Sequence, residues 1–299
     1  MHYDHTEGLL RLLALFDCPV YASSLTADTL CHPHAYFIPC QYPDPFPVVG
    51  LKDQTEFTWR EFTLTAFEFP GQTLYHGGLL AEGQGQRILF AGDSFSVTGL
   101  DDYFPQNRVL PGPDRGMRLC LDRIRLYQPD CLINQHQQQA FHFTQEERNI
   151  FEQILVERER LTEELTGRSA GWAWDDAWCR AVPFEQSSAP GAVIQLAVHV
   201  TNHDQEPLPV TAEPVLLEGF QIVDGTAARH GTADPMTSGS VLSNTQPDLC
   251  LTWKIRLPDN LKPGETIRLP FRVSCRVYQG LAAVRSEERR VGKECRSRW

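Results

Sequence analysis

MHYDHTEGLL, residues 1–10, places three metal-competent side chains, His2, Asp4 and His5, within four positions of the chain. Imidazole nitrogen and carboxylate oxygen are ligand atoms for zinc and related divalent cations. The following residues, Thr6 to Leu10, read as the first turn of a helix. A cluster of this kind normally follows a buried strand, and no strand precedes this one in the sequence.

Three later segments carry related chemistry. PGQTLYH (70–76) is a Pro-Gly turn ending in His76, RILFAGDS (87–94) is a strand running into Gly92-Asp93, and CLINQH (131–136) is a short apolar strand followed by His136. Each has an ordinary structural reading on its own. Aspartate at a turn accepts backbone hydrogen bonds, and a lone histidine is more often a surface or core residue than a ligand. Their order along the chain carries the information. It resembles the metallo-β-lactamase-fold hydrolases, whose marks are HxHxDH, a PGHTxxH-type loop, a Gly-Asp after a strand and a late single histidine. The resemblance covers Met1 to about Leu165.

That resemblance implies an α/β fold, a partial αββα sandwich with ligands on loops at one edge and two metal ions held there, usually zinc, with iron or manganese as alternatives. Carried over residue by residue, His2 and His76 serve the first ion, Asp4, His5 and His136 the second, and Asp93 bridges both. Aspartate at 93, where many true β-lactamases have cysteine, is similar to the glyoxalase II, lactonase and phosphodiesterase branches. The implied reaction is hydrolysis of an ester, thioester, lactone or phosphoester of a small molecule by a metal-bound hydroxide. Asp4 and Asp93 are the implied catalytic carboxylates, Asp4 also as a proton carrier. Tyr3 and Tyr75 flank the ligands as donors to a developing oxyanion, with packing as their default role. One position departs from the pattern: Gln72 stands where the family often has the first histidine of its loop, which touches the loop's supporting hydrogen bonds more than the His76 ligand itself. A histidine codon before Met1 would complete HxHxDH, so the printed chain is expected to be an N-terminally truncated, inactive fragment, short by roughly 60 or more residues of an α/β domain.

At 299 residues and 41% hydrophobic, the chain has material for two domains with cores of their own. Helices are expected over Glu7–Phe16, Gly116–Leu126 and Thr144–Leu165, the last opening on a Thr144/Glu147 capping box, and a hairpin over Thr55–Phe69. CHPHAYFIPCQYPDPFP (31–47) reads as a long loop or lid. After Gly167 the pattern changes: 193–201, 210–218, 250–257 and 266–277 alternate with period two between Asn, Asp, Pro and Gly turns, which predicts an antiparallel sandwich of immunoglobulin type. The expected organisation is a hydrolase domain over 1–167, a Trp-rich linker over 168–190, a β-sandwich over 191–284, and a terminal run over 285–299. Trp172, Trp174 and Trp178 are expected to staple the domains, with a carbohydrate-stacking platform as the sharper alternative.

The terminal run RSEERRVGKECRSRW matches one translation frame of a widely used sequencing adapter and is read as an artefact. It holds six Lys and Arg against three Asp and Glu, so the net charge of −11 becomes −14 without it. So acidic a body repels phosphate backbones, which argues against a nucleic-acid partner. No run of about 18 apolar residues appears, so no membrane span is expected. The nine cysteines form no CxxC pair, which argues against a zinc ribbon or thioredoxin-like site. Cys250 and Cys275 are placed across a strand pair, where free thiols are favoured over a bond. Oligomeric state stays open, as does compartment, cytoplasmic or periplasmic and secreted alike. A second function class stands beside the hydrolase: a non-catalytic binding or adhesion protein with a degenerate metal site and a glycan- or protein-binding sandwich.

Overall fold

The computed structural model describes residues 3–36, 45, 47–101, 108–236, 248–262 and 264–275. The chain divides into two units: Met1–Pro33, Phe37–Ala177 and Ser238–Asn244 in the first, His34–Tyr36, Trp178–Thr237 and Thr245–Trp299 in the second.

The first unit begins with a 3-10 turn (Tyr3–His5) and helix α1 (Leu9–Leu15), then β1 (Tyr21–Ser23), α2 (Ser24–Cys31) and β2 (Val49–Leu51), with β1 and β2 paired in parallel. Next come β3 (Thr55–Trp59), β4 (Phe62–Glu68), β5 (Gly77–Gly83) and β6 (Gln86–Phe90), a short β7 (Phe95–Ser96) and β8 (Gly99–Leu100), α3 (Gly116–Tyr127), β9 (Cys131–Ile133), α4 (Gln145–Thr166) and α5 (Gly171–Trp174). The main sheet has the order β3-β4-β5-β6-β9. Its first four strands are an antiparallel meander, and β9 adds in parallel to β6 after a crossover through α3.

The core follows from where the apolar side chains fall. Phe67, Leu80, Leu89 and Leu132 are fully buried from the sheet, and Met117, Cys120, Leu121 and Ile124 meet them at the i, i+3, i+4, i+7 spacing of one face of α3. Each such side chain contributes about 1.5–3 kcal/mol when taken out of water. The capping box expected at Thr144 is present: its side chain accepts from the Glu147 backbone, and the Glu147 carboxylate accepts from the Thr144 N–H at 2.7 Å. Helix α2 was not anticipated from its own residues. Its N-terminal Leu25 N–H is capped from outside by the Glu68 carboxylate at 3.1 Å, a partner 43 positions away that no local pattern announces. The run CPVYAS (18–23), whose residues read as a short buried strand, is a strand only over Tyr21–Ser23, and Tyr21 is exposed because among the described residues β1 pairs only with β2.

The second unit holds β10 (Cys179–Val182), β11 (Val193–Val200), β12 (Leu208–Pro214), β13 (Gln221–Ile222), β14 (Arg229–Ala233), β15 (Leu249–Arg256) and β16 (Phe271–Cys275). They form two antiparallel sheets, β10-β11-β15-β13 and β14-β12-β16. β15 alternates buried and exposed positions, and its Trp253 meets Phe271 of the other sheet at 5.2 Å between ring centroids. Val198, Val200 and Ile255 on one sheet and Val210, Ala212 and Val273 on the other complete the interior. The placement of Cys250 and Cys275 across a strand pair is corrected: β15 and β16 lie in different sheets, no disulfide joins the two cysteines, and Cys250 is exposed.

Trp172 and Trp174 belong to the first unit, where the Trp174 indole N–H donates to Thr162 of α4 at 3.2 Å; Trp178 opens the second. His34 pairs with Glu185 at 2.7 Å, both exposed and both in the second unit. Most of the expected lid, residues 37–44 and 46, lies outside the described residues, as does the run from 276 to 299. No helix among the described residues is long and apolar enough to cross a membrane.

Candidate metal centre

Strand order brings the distant motifs to one edge of the main sheet. β6 and β9 are parallel neighbours with Phe90 opposite Ile133, so both release their chains at the same end, and Asp93 and His136 each stand three residues beyond that pairing. β5 runs antiparallel to β6 and begins at that end, with Leu79 opposite Phe90; His76 immediately precedes it. The 3-10 turn Tyr3–His5 supplies the remaining donors.

The contacts close on Asp93. His5 Nε2 lies 2.8 Å from Asp93 Oδ2, and His136 Nε2 lies 3.2 Å from the same oxygen. His136 Nε2 is also 3.1 Å from Asp4 Oδ2, and His5 Nε2 is 3.8 Å from Asp4 Oδ1. The two imidazoles meet edge to face, 5.4 Å between centroids. Ligand atoms of Asp4, His5 and His136 all fall within 4.8 Å of one another, a candidate site for a divalent metal.

Electrostatics agree with the geometry. The hydrogen bond to Asp93 raises the His5 pKa against the opposing effect of burial, and the charges of Asp93 and Asp4 add to it. Burial works against charge on Asp93, yet the His5 hydrogen bond and the fields of His5, His136 and His76 hold its carboxyl below the ordinary value. Asp93 is 4% exposed, and its second oxygen, Oδ1, is buried with no hydrogen-bond partner among the described residues. An unsatisfied carboxylate oxygen in the interior is costly. Two imidazoles and two carboxylates, one of which keeps an orphaned buried oxygen among the described residues, are a donor set that fits a divalent cation of the zinc type.

His76 is buried beside this cluster. Its Nδ1 lies 3.3 Å from the Phe69 carbonyl and 3.0 Å from Ser94 Oγ. Burial lowers its pKa to about 3, so the ring is neutral at physiological pH, the form in which imidazole binds metals. Its Nε2 faces the backbone of Gly92, where an added Cβ would lie 2.2 Å away; Gly92 has φ +54. Gln72 contributes a backbone N–H to Ser94 Oγ at 3.3 Å and a side-chain N–H to Asp101 Oδ2 at 3.1 Å, and its own Oε1 is buried without a hydrogen-bond partner among the described residues.

Of the sequence-derived candidates, Asp4, His5, Asp93 and His136 are brought into direct contact, and His76 lies against the Asp93 turn. Tyr75 is buried at 8% exposure, and its carbonyl accepts from Thr26 Oγ1 at 2.6 Å. His2 lies outside the described residues; Tyr3 is placed in the turn by its backbone alone. Sequence reasoning passed over Ser94, Gly92 and Glu68. For the first two the signal was present in Gly-Asp-Ser, whose serine Oγ lies 3.0 Å from His76 Nδ1, close to the 2.8 Å between the aspartate and His5.

Residues 1–148 match a family model described as the beta-lactamase superfamily domain. A hydroxyacylglutathione hydrolase from Hahella chejuensis is 31% identical over 132 residues, 44% of this chain and 43% of that protein. Among solved structures, the metallo-β-lactamase GOB-18 from Elizabethkingia meningoseptica gives a TM-score of 0.39 at 16% identity, over 54% of this chain and 69% of that one. A metallo-β-lactamase from Cronobacter sakazakii gives 0.34 at 19% identity, over 57% and 60%. The chain spans under half the length of the hydroxyacylglutathione hydrolase it matches. Residues 1–148, just under half of the chain, are thus similar to the beta-lactamase superfamily domain.

Proposed function

We propose that this chain is a metal-dependent hydrolase with a binuclear site, acting on an ester, thioester, lactone or phosphoester of a small molecule. The observation that carries the reading is the convergence of His5 and His136 on Asp93 Oδ2 while Asp93 Oδ1 stays buried and unpaired among the described residues. His2 and His76 would hold one ion, Asp4, His5 and His136 the other, with Asp93 between them, and zinc is the metal the donors suit best, ahead of iron or manganese. The relative named a hydroxyacylglutathione hydrolase favours an acyl substrate within this range.

Bound there, divalent ions supply Lewis acidity toward the reacting carbonyl or phosphoryl oxygen and make water acidic enough to attack near neutral pH. The side chains divide the remaining work. Asp93, nearly fully buried, fixes the two imidazoles through one oxygen. Asp4 is half exposed, so its carboxylate meets solvent while touching His136, and it is the group placed to take a proton from water and pass it to a leaving group. Tyr75, buried, packs its own loop, and the donor toward substrate is assigned to Tyr3 from its place in the sequence beside Asp4. The C-terminal sandwich, read as immunoglobulin-like, serves as a docking or substrate-positioning module.

Metal content and turnover test this together. Protein expressed from the whole gene, with whatever it encodes ahead of Met1, and loaded with zinc should hold close to two equivalents and hydrolyse members of a panel of aryl esters, acyl thioesters, lactones and aryl phosphodiesters, and chelation should abolish turnover. His136→Ala should remove one equivalent. Protein that folds, retains no metal through gel filtration and turns over no member of the panel would favour the non-catalytic binding reading.

A further inference from the structure

We propose that Ser94 is a positioning residue for His76: its hydroxyl holds the proton on Nδ1 and thereby leaves Nε2 as the free lone pair. The inference rests on His76 acting as a ligand, but its first readout does not.

Ser94 is fully buried on the 3-10 turn Gly92–Ser94 that also carries Asp93. Its Oγ lies 3.0 Å from His76 Nδ1 and 3.3 Å from the Gln72 N–H, which donates to it. The Phe69 carbonyl, 3.3 Å from the same Nδ1, can only accept. A carbonyl beside Nδ1 demands a proton there, and the shorter Ser94 contact shares that proton. Nε2, on the far side of the ring, then carries no hydrogen and faces Gly92 of the Asp93 turn. The reverse tautomer would put a hydrogen on Nε2 and set the Nδ1 lone pair against the Phe69 carbonyl oxygen, two acceptors in contact.

Space around Ser94 supports a dedicated role. An added Cβ on Gly71 would fall 2.4 Å from both Ser94 Cβ and Oγ, so this glycine is needed because the serine side chain occupies the room, not for its backbone angle. Gln72 fits the same scheme. Ser94 uses its backbone N–H, which any residue other than proline offers, while its side-chain amide is engaged separately by Asp101. A loop supported this way tolerates glutamine where a histidine is common. One turn thus delivers the carboxylate that binds His5 and His136 and the hydroxyl that orients His76. Partners one shell out from a metal typically change affinity by about 10–100-fold when removed.

The test reads the tautomer directly. Two-bond proton–nitrogen correlation spectra of the metal-free full chain at neutral pH should show His76 as the Nδ1–H form, and Ser94→Ala should shift it toward a mixture with Nε2–H. Titration with zinc should then give Ser94→Ala an affinity about 10–100-fold weaker for one of its ions, with Ser94→Cys, a weaker acceptor of similar size, in between. An Nε2–H tautomer in the unmodified chain overturns the proposal, and so does a Ser94→Ala variant with unchanged tautomer and zinc affinity within twofold. If the unmodified chain binds no zinc but shows the expected tautomers, the hydrolase reading fails while the role of Ser94 stands.

Discussion

Replacing Glu68 with glutamine should flatten the pH dependence of stability and stabilise the protein in mild alkali. Glu68 is fully buried; its carboxylate accepts from Ser23 Oγ at 2.9 Å and from the Leu25 N–H at 3.1 Å. Burial is the main cause that raises its pKa from 4.5 to about 7, and nearby Asp53 adds to it, while the hydrogen bonds from Leu25 and Ser23 and the Arg123 charge act the other way. The folded state therefore binds this proton more tightly than the unfolded state. The stabilisation is complete below about pH 4.5 and is lost as pH rises through about 7. The whole change amounts to about 3 kcal/mol. Glutamine keeps the geometry: its carbonyl oxygen accepts from Leu25, and its amide donates to Ser23 Oγ, which can turn its own hydrogen to Thr26 Oγ1 at 3.0 Å. Urea unfolding of both proteins at pH 5 and pH 8 measures the effect. The gap in favour of the variant should widen by about 2–3 kcal/mol between pH 5 and pH 8. Parallel pH profiles, or a variant that loses stability equally at both pH values, would show that the carboxyl is not protonated in the fold.

Gly92→Ala should weaken zinc binding by at least about tenfold in calorimetric titration, because the new methyl falls on His76 Nε2 and the backbone sits at φ +54, which itself costs about 1–3 kcal/mol. Thr144→Ala removes the hydroxyl half of the capping box on α4, leaving the Thr144 N–H on the Glu147 carboxylate, and should cost about 1 kcal/mol in urea unfolding, with activity unchanged. Trp253→Ala, at the centre of the second unit, should cost about 3–5 kcal/mol in the unfolding of that unit, read by tryptophan fluorescence, while leaving metal stoichiometry unaltered.

What the sequence made legible follows from the range of each interaction. The hairpin over 55–69, helix α3, the capping box of α4 and the alternation in β15 are all set by periodicity or by residues within four positions of each other, and all are found where expected. The approach of Asp4, His5, Asp93 and His136 depends instead on strand order, which periodicity does not encode; only the succession of motifs suggested it. Helix α2 was missed because its capping carboxylate comes from β4. Cys250 and Cys275 were set across a strand pair because alternation reveals that a segment is a strand without saying which sheet it joins.

The pairing of Phe90 with Ile133 has one more consequence. The span between the positions of Asp93 and His136 is held by interstrand hydrogen bonds at the rim of the sheet, so the long intervening crossover does not act as a ruler. Segments spliced into the stretch after Leu100 would leave that span intact and reshape only what surrounds it. A single residue inserted between Phe90 and Asp93, or between Ile133 and His136, would rotate a donor out of register. Tolerance to insertion along this chain is thus sharply uneven, which makes the crossover the place to graft new substrate preferences and the two short rims the place to leave untouched.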